Sequence, residues 1–129
     1  MDRDALSMRR GVVVFVGLLI AITSCVLITS VVIDFGCYNE AARWIPYYPE
    51  ATIVEVEYDY LRPFGIGSTT AILHSDDEAR DVRHWYIENQ RALDDEGFSP
   101  NLASLNLNVR TDTAEGGSII ILTSECASK

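Results

Sequence analysis

The sequence predicts a single transmembrane α-helix followed by a small α+β domain, with one helix packed on a four-stranded antiparallel sheet in the order ββαββ. Residues 11–33 are 23 consecutive residues without a charged side chain. Beyond them, short strand patterns flank one amphipathic helix pattern. The expected segments are a cytoplasmic N-terminus (1–10), the transmembrane helix (11–33), a juxtamembrane connector (34–50) and an extracytoplasmic α+β domain (51–129).

The apolar run is long enough to cross a bilayer as a helix. At 1.5 Å per residue it spans roughly 34 Å, against a hydrocarbon core of ~30 Å. Inside lipid every peptide group needs a partner within its own segment, so even a run rich in β-branched residues is forced into a helix. The hydroxyl residues of the run, which can bond back to helix carbonyls, are Thr23, Ser24, Thr29 and Ser30.

Charge at the two ends of the run orients the predicted span. Arg9 and Arg10 precede the run, and Asp34 follows it. Because basic residues are retained on the cytoplasmic side, we expect a single-pass protein of the inner (plasma) membrane. Its N-terminus would be cytoplasmic and its C-terminal domain periplasmic or otherwise extracytoplasmic.

Small residues recur in the span at intervals of one to four, at Gly17, Ala21, Ser24 and Cys25. Such a stripe lets another helix approach closely, which makes it a candidate packing face. Chance explains the pattern equally well, since membrane helices are rich in small residues. The segment therefore predicts two kinds of partner, membrane lipids and other integral membrane subunits.

Two other interpretations of the run involve cleavage. A secretory signal has a shorter apolar core and a small-x-small motif before a polar mature start, and we find neither feature. Residues 22–25, Ile-Thr-Ser-Cys, resemble the lipobox of bacterial lipoproteins, in which the cysteine is lipidated. Residues 26–33 stay apolar where a lipoprotein turns polar, so we expect an uncleaved helix.

Within the connector, residues 39–45 can make one or two helical turns before Pro46 stops them. Trp44, Tyr47 and Tyr48 suit the headgroup region of a bilayer, because aromatic rings with a polar end favour that depth. Packing beneath the domain would use these three side chains equally well.

The first half of the domain predicts a hairpin and a helix. Residues 52–60 alternate as a half-buried strand, residues 62–67 are turn material, and residues 68–74 return as an antiparallel strand. In the first strand Val54, Val56, Tyr58 and Tyr60 share one face. Ser75 with Glu78 predicts a capping box for a helix that runs to about Leu93 and stops at Gly97. The apolar side of this helix comprises Ala79, Val82, Tyr86 and Leu93, with Trp85 beside them.

The second half predicts another hairpin. Leu105, Leu107 and Val109 alternate with polar residues, which indicates a third strand. Residues 114–117, Ala-Glu-Gly-Gly, are a turn sequence. The four apolar residues at 119–122 indicate a fourth strand that is central or covered on both faces.

A longer pattern links these elements. Residues 48–51 read Tyr-Pro-Glu-Ala, and the helix start Ser75-Asp76, Val82, Trp85-Tyr86, Leu93 and Gly97-Phe98 follow. Over residues 48–98, about two-fifths of the chain, this resembles a family of small bacterial extracytoplasmic domains, membrane- or lipid-anchored and of unknown function. The resemblance implies the fold and the location, and it supplies no catalytic residues.

The charge is unevenly distributed. The chain carries −9, and residues 1–10 contribute +1, so the part beyond the span carries −10 from seven basic and seventeen acidic residues. Such a surface repels nucleic acid and anionic headgroups, and we expect no nucleic-acid partner. Solubility alone is enough to account for the acidity.

The three cysteines allow one disulfide. Cys25 lies in the span, whereas Cys37 and Cys126 lie beyond it, in a compartment where disulfides persist. A bridge between these two is possible, although sequence does not establish connectivity. Their spacing does not match a haem, iron–sulfur or zinc motif.

Other chemistry finds little support. The two histidines, His74 and His84, have no second ligand at a suitable sequence spacing, and the acidic triplets at 76–78 and 94–96 lack the calcium-loop pattern. We see no phosphate-binding loop, nucleophile elbow or Ser/His/Asp set. We therefore expect no catalytic residues, metal or cofactor.

These observations favour a non-catalytic accessory or structural subunit of a larger integral membrane complex. Respiratory and photosynthetic electron-transfer complexes are assemblies that contain such small single-span members. The alternative is an independent membrane-anchored extracytoplasmic binding domain.

Overall fold

Helix α1, Asp2–Trp44, is the longest element of the chain. The computed structural model describes residues 2–59 and 68–126. After α1 these residues form β1 Thr52–Tyr58, β2 Ser68–Ser75, α2 Ala79–Asp95, β3 Ala103–Thr111 and β4 Ser118–Cys126. A long apolar N-terminal helix followed by a ββαββ domain with an antiparallel sheet is the fold class that the sequence predicts.

The chain divides into two units, Met1–Val32 and Ile33–Lys129. The first unit is the N-terminal part of α1, and its large apolar side chains between Val12 and Val32 are 47–69% exposed. In the described residues one helical stretch, Arg9–Trp44, is long and apolar enough to cross a membrane. The chain therefore fits a single membrane span.

Hydroxyl side chains in this helix bond back to its own carbonyls. Thr23 donates to the carbonyl of Leu19 at 2.8 Å, and Ser30 donates to that of Val26 at the same distance. Thr29 donates in the same way to Cys25. These three hydroxyl groups thus have partners within the helix, which suits a lipid environment.

The second unit is built on a sheet of strand order β1-β2-β4-β3, with every neighbouring pair antiparallel. The predicted fourth strand is central, since β4 pairs with β2 on one side and β3 on the other. Its second face is only half-buried at Ile119 and Ile121, and no described helix packs there. The apolar run at 119–122 therefore reflects a central position and not burial on both faces.

The core lies between one face of the sheet and two helical segments, α2 and the end of α1. In α2 the predicted apolar face is buried at Ala79, Val82 and Tyr86. The core cluster consists of these three residues with Ile45, Ala71, Leu73, Val109, Ile120 and Leu122. Burial of each large side chain contributes about 1.5–3 kcal/mol, which makes this layer the main source of stability.

Strand β1 departs from the prediction at Val54. The register passes from Ile53 opposite Leu73 to Glu55 opposite Ile72, so Val54 is the extra residue of a β-bulge. A bulge shifts the side-chain alternation, and Ile53 rather than Val54 shares a face with Val56 and Tyr58. The predicted half-burial was also wrong, because residues 52–57 are exposed on an edge strand. The predicted position of Tyr60 and the turn at 62–67 lie outside the described residues.

The start of α2 also differs from the prediction. The helix begins at Ala79 with Glu78 as N-cap, and no side chain caps it. Ser75 instead ends β2 opposite Ser118, and its hydroxyl accepts the backbone N–H of Asp77 at 3.2 Å. Pairing with β4 extends the strand through Ser75, so the predicted capping box was wrong. The predicted stop was correct, since Gly97 follows the helix with φ of +78°.

The turn between β3 and β4 passes close to the end of β2. Gly116 and Gly117 have φ of +84° and +76°. A Cβ at Gly117 would collide with the backbone carbonyl oxygen of Ser75, whereas at Gly116 no heavy atom lies within 4 Å. We predict that G116A costs about 1–2 kcal/mol through its left-handed backbone. G117A should cost clearly more, because it adds the collision.

The measurement is urea unfolding of the full-length chain in detergent micelles, followed by tryptophan fluorescence. G116A is the matched control, since both substitutions add one methyl group at positive φ. Equal losses of unfolding free energy in the two variants would contradict the close approach of this turn to β2.

Candidate functional site

An apolar groove of about 260 Å³ lies between the end of α1 and the sheet. Tyr38 and Tyr47 stand at its sides and are 58% and 50% exposed. The sheet residues that line it belong to the two central strands. The remaining lining residues are Ala41, Ala42, Ile45, Pro46, Thr69, Ala71, Leu122 and Ser124.

Small side chains explain why space remains here. Ala41 and Ala42 project little from α1, and Ala71 projects little from β2, so helix and sheet do not close on each other. Ile45, which follows α1, is buried in the core and closes one end of this space. The groove is thus an apolar recess lined mainly by residues of α1 and of the strands β2 and β4.

A disulfide fixes the end of α1 to the sheet. Cys37 and Cys126 are bridged, with their Cα atoms 5.8 Å apart and a sequence separation of 89. Both cysteines are buried, and Ala103 of β3 packs against them. The structure therefore pairs the two cysteines whose connectivity the sequence left open.

Glu40 makes a second attachment one helical turn further along α1. Its carboxylate accepts the backbone N–H groups of three consecutive residues, Asn101 at 3.0 Å, Leu102 at 2.8 Å and Ala103 at 3.1 Å. These N–H groups lie where the chain enters β3. No short motif identifies this contact, because the partners are more than 60 residues away and offer only backbone atoms.

The aromatic residues after the span divide between two roles. Trp44 packs against Phe98, with ring centroids 6.1 Å apart, and Tyr48 packs edge-on against Trp85 at 5.2 Å. Both rings border the core, whereas Tyr47 is half-exposed at the groove. Of the two interpretations left open by the sequence, packing beneath the domain describes Trp44 and Tyr48.

One residue from each acidic triplet, Asp77 and Glu96, binds a side chain near these aromatic contacts. The Tyr48 hydroxyl donates to the Asp77 carboxylate at 2.7 Å. This hydrogen bond, with smaller contributions from burial and nearby negative charge, raises the pKa of Tyr48 to about 12. In the second triplet, Glu96 pairs with Arg43 at 3.1 Å, and the Arg43 guanidinium lies 4.3 Å from the centre of the Phe98 ring.

The candidate packing stripe lies on an exposed part of α1. Gly17, Ala21, Ser24 and Cys25 are all exposed, and the Cys25 thiol is free. No heavy atom lies within 4 Å of a Cβ placed on Gly17. The stripe is thus accessible, and its use as a packing face stays a prediction.

The two histidines lie in different surroundings. His84 is exposed on α2, with Nδ1 3.7 Å from the Glu88 carboxylate. His74 is half-buried, and its Nε2 lies 3.6 Å from Asp112 Oδ2, with Glu115 close by. Sequence reasoning missed this group because Asp112 and Glu115 follow His74 by about 40 residues and meet it only through sheet pairing.

Comparisons of the chain with protein-family models, curated proteins and solved structures give no match in any of the three. The resemblance over residues 48–98 therefore stays a prediction.

We predict that the C37S/C126S double variant has a free energy of unfolding about 2–4 kcal/mol lower than the parent, because the bridge restricts the unfolded chain. Urea unfolding of the full-length chain in micelles measures the loss, with and without reductant. C25S is the control, since the exposed Cys25 thiol is free. A double variant as stable as C25S would rule out a stabilising bridge.

We also predict that D77N lowers the pKa of Tyr48 toward its ordinary value of 10, because the Asp77 hydrogen bond is the largest cause of its elevation. Tyrosinate absorbance, taken as the difference between each protein and its Y48F counterpart, isolates this titration. In the parent, the unfolded chain loses its Tyr48 proton before the folded chain does. Stability should therefore fall as pH rises from about 10 to about 12. An unchanged Tyr48 titration in D77N would disprove the assignment.

Proposed function

We propose that this chain is a non-catalytic accessory subunit of a larger integral membrane complex, anchored by its single transmembrane helix. The observation that supports this proposal is the way residues 33–48 are built into the domain. They contribute the bridged Cys37, the Glu40 carboxylate and the buried Ile45. Residues 33–48 belong to the second unit, Ile33–Lys129.

An independent binding domain gains from a flexible tether, which lets it sample the space around its anchor, and domain boundaries usually fall in such linkers. A subunit that must present one surface to fixed neighbours gains from an ordered junction. A junction that is already ordered in the free protein does not lose further conformational entropy when the complex forms. The packing of residues 33–48 therefore favours a subunit over a tethered binder.

The proposed location is the bacterial inner (plasma) membrane, with the N-terminus in the cytoplasm and the domain outside it. Arg9 and Arg10 before the apolar run support this orientation. The Cys37–Cys126 bridge supports it independently, because disulfides persist in extracytoplasmic compartments. Electron-transfer complexes of respiration or photosynthesis are the first assemblies in which to look for the partners.

The groove supports a second candidate, an independent anchored binding domain. Its volume of about 260 Å³ falls slightly below the range of roughly 300–1,000 Å³ that is usual for small-molecule pockets. Its lining is mainly apolar, so the ligand would be a small apolar molecule.

We predict that the full-length chain, carrying an N-terminal affinity tag, copurifies from native membranes with a defined set of integral membrane subunits. G17I should reduce their recovery at least tenfold, because it fills the packing stripe. G11I is the matched control, because the same substitution lies about 120° away around the helix. A Cβ placed on either glycine meets no atom within 4 Å apart from its chain neighbours and the local helix backbone. Quantitative mass spectrometry measures recovery.

A parent chain that migrates alone on native gels and copurifies with no membrane protein would refute the subunit proposal and favour the independent binding domain. Equal recovery with G17I and G11I would show that the partners contact a different face of the helix. Intact mass of the purified chain also tests whether the apolar run is retained.

A further inference from the structure

Three donor side chains meet where the β3–β4 turn passes the end of β2. His74, Asp112 and Glu115 each offer one metal-ligating atom, and these atoms all lie within 4.8 Å of one another. The side chains of His74 and Asp112 are only 18% and 11% exposed, whereas Glu115 is exposed. One imidazole and two carboxylates are a donor set that Zn²⁺ accepts.

The distances within this group suit a tetrahedral site. Zinc binds nitrogen and oxygen ligands at 2.0–2.2 Å, so two ligand atoms of a tetrahedron lie about 3.4 Å apart. His74 Nε2 is 3.6 Å from Asp112 Oδ2 and 3.0 Å from the backbone carbonyl oxygen of Gly116. Glu115, which is exposed and flexible, needs only a small side-chain movement to complete the set.

The Asp112 carboxylate is oriented before any ion binds. Its Oδ1 accepts the backbone N–H groups of Ala114 at 2.8 Å and Glu115 at 3.3 Å, while Oδ2 points to His74. Hydrogen bonds of this kind position ligating carboxylates in metal sites. The positive side chain of Arg110 also acts electrostatically on this carboxylate.

Backbone hydrogen bonds fix the positions of His74 and Asp112. His74 lies in β2 opposite Ile119, and the Asp112 N–H donates to the Gly117 carbonyl at 3.0 Å across the base of the turn. Without a metal ion, an Nε2–H on His74 can donate to the Gly116 carbonyl. An ion at this point would replace that proton, leave the other imidazole proton on Nδ1, and gain the Gly116 oxygen as a fourth ligand.

We propose that His74, Asp112 and Glu115, with the Gly116 carbonyl, bind one Zn²⁺ ion that fastens the β3–β4 turn to β2. Zinc is favoured over Mg²⁺ and Ca²⁺, because those ions prefer all-oxygen shells of six or more ligands and the group contains an imidazole. The positive charge of Arg110 disfavours a cation at this site, but the two negative carboxylates of Asp112 and Glu115 exceed it. This proposal is independent of the subunit role.

The test is calorimetric titration with ZnCl₂ of the metal-stripped full-length chain in detergent micelles, purified without a polyhistidine tag. The parent should bind one equivalent, and H74N and E115Q should each weaken binding at least tenfold. H84N is the matched control, because within the described residues His84 lies near one carboxylate, that of Glu88, and both side chains are exposed. It should bind zinc as the parent does.

E115Q separates ligand loss from misfolding, since residue 115 is exposed in a turn and the variant should keep the parent's circular dichroism spectrum. Zinc should also raise the thermal midpoint of the parent and of H84N, and leave that of H74N unchanged. The proposal is overturned if the parent fails to bind one equivalent, if E115Q binds normally, or if H84N loses as much affinity as H74N.

Discussion

The domain depends on the attachment of the end of α1 to the sheet through Cys37 and Glu40. Cys37 is bridged to Cys126 at the end of β4, and Glu40 binds the backbone where the chain enters β3. Together they hold the helix over one face of the sheet. That position places Ile45 in the core and brings the Pro46 carbonyl within 2.8 Å of the Tyr86 hydroxyl. The apolar groove exists only because this helix forms one of its walls.

The two attachments act on different states of the chain and so are not redundant. The disulfide stabilises mainly by restricting the unfolded ensemble, since it joins two cysteines with a sequence separation of 89. Glu40 acts in the folded state, where a hydrogen bond to a charged group contributes about 1.5–3 kcal/mol. Removing either attachment leaves the other in place, but the helix end is then held at one point instead of two.

The sequence predicted those features whose signals are local. The uncharged run defined the apolar helix, the spacing of Ala79, Val82 and Tyr86 defined the buried face of α2, and Gly97 marked its end. Long-range effects caused the errors. The bulge at Val54 depends on register with β2, and Ser75 is drawn into strand pairing opposite Ser118 instead of capping α2.

The same limit applies to the candidate sites. The number and placement of the cysteines could suggest the Cys37–Cys126 pair, because Cys25 lies in the predicted span and only these two lie beyond it. The sequence could not suggest that Glu40 binds the amides of residues 101–103, since backbone donors leave no trace in residue identity. Nor could the sequence indicate that Asp112 lies beside His74, because this proximity results from the order in which β2, β4 and β3 pair.

The order β1-β2-β4-β3 also explains why the ends of the sheet carry different chemistry. Antiparallel pairing puts the start of β3 and the end of β4 at one end, where the disulfide and Glu40 attach α1. The β3–β4 turn and the end of β2 lie at the other, about 27 Å away along a nine-residue strand. At that second end the β3–β4 turn contacts β2 through Gly117 and His74. A bond between the β3–β4 turn and β2 therefore adds a constraint that the disulfide does not supply, because the disulfide joins α1 to β4 at the opposite end of the sheet.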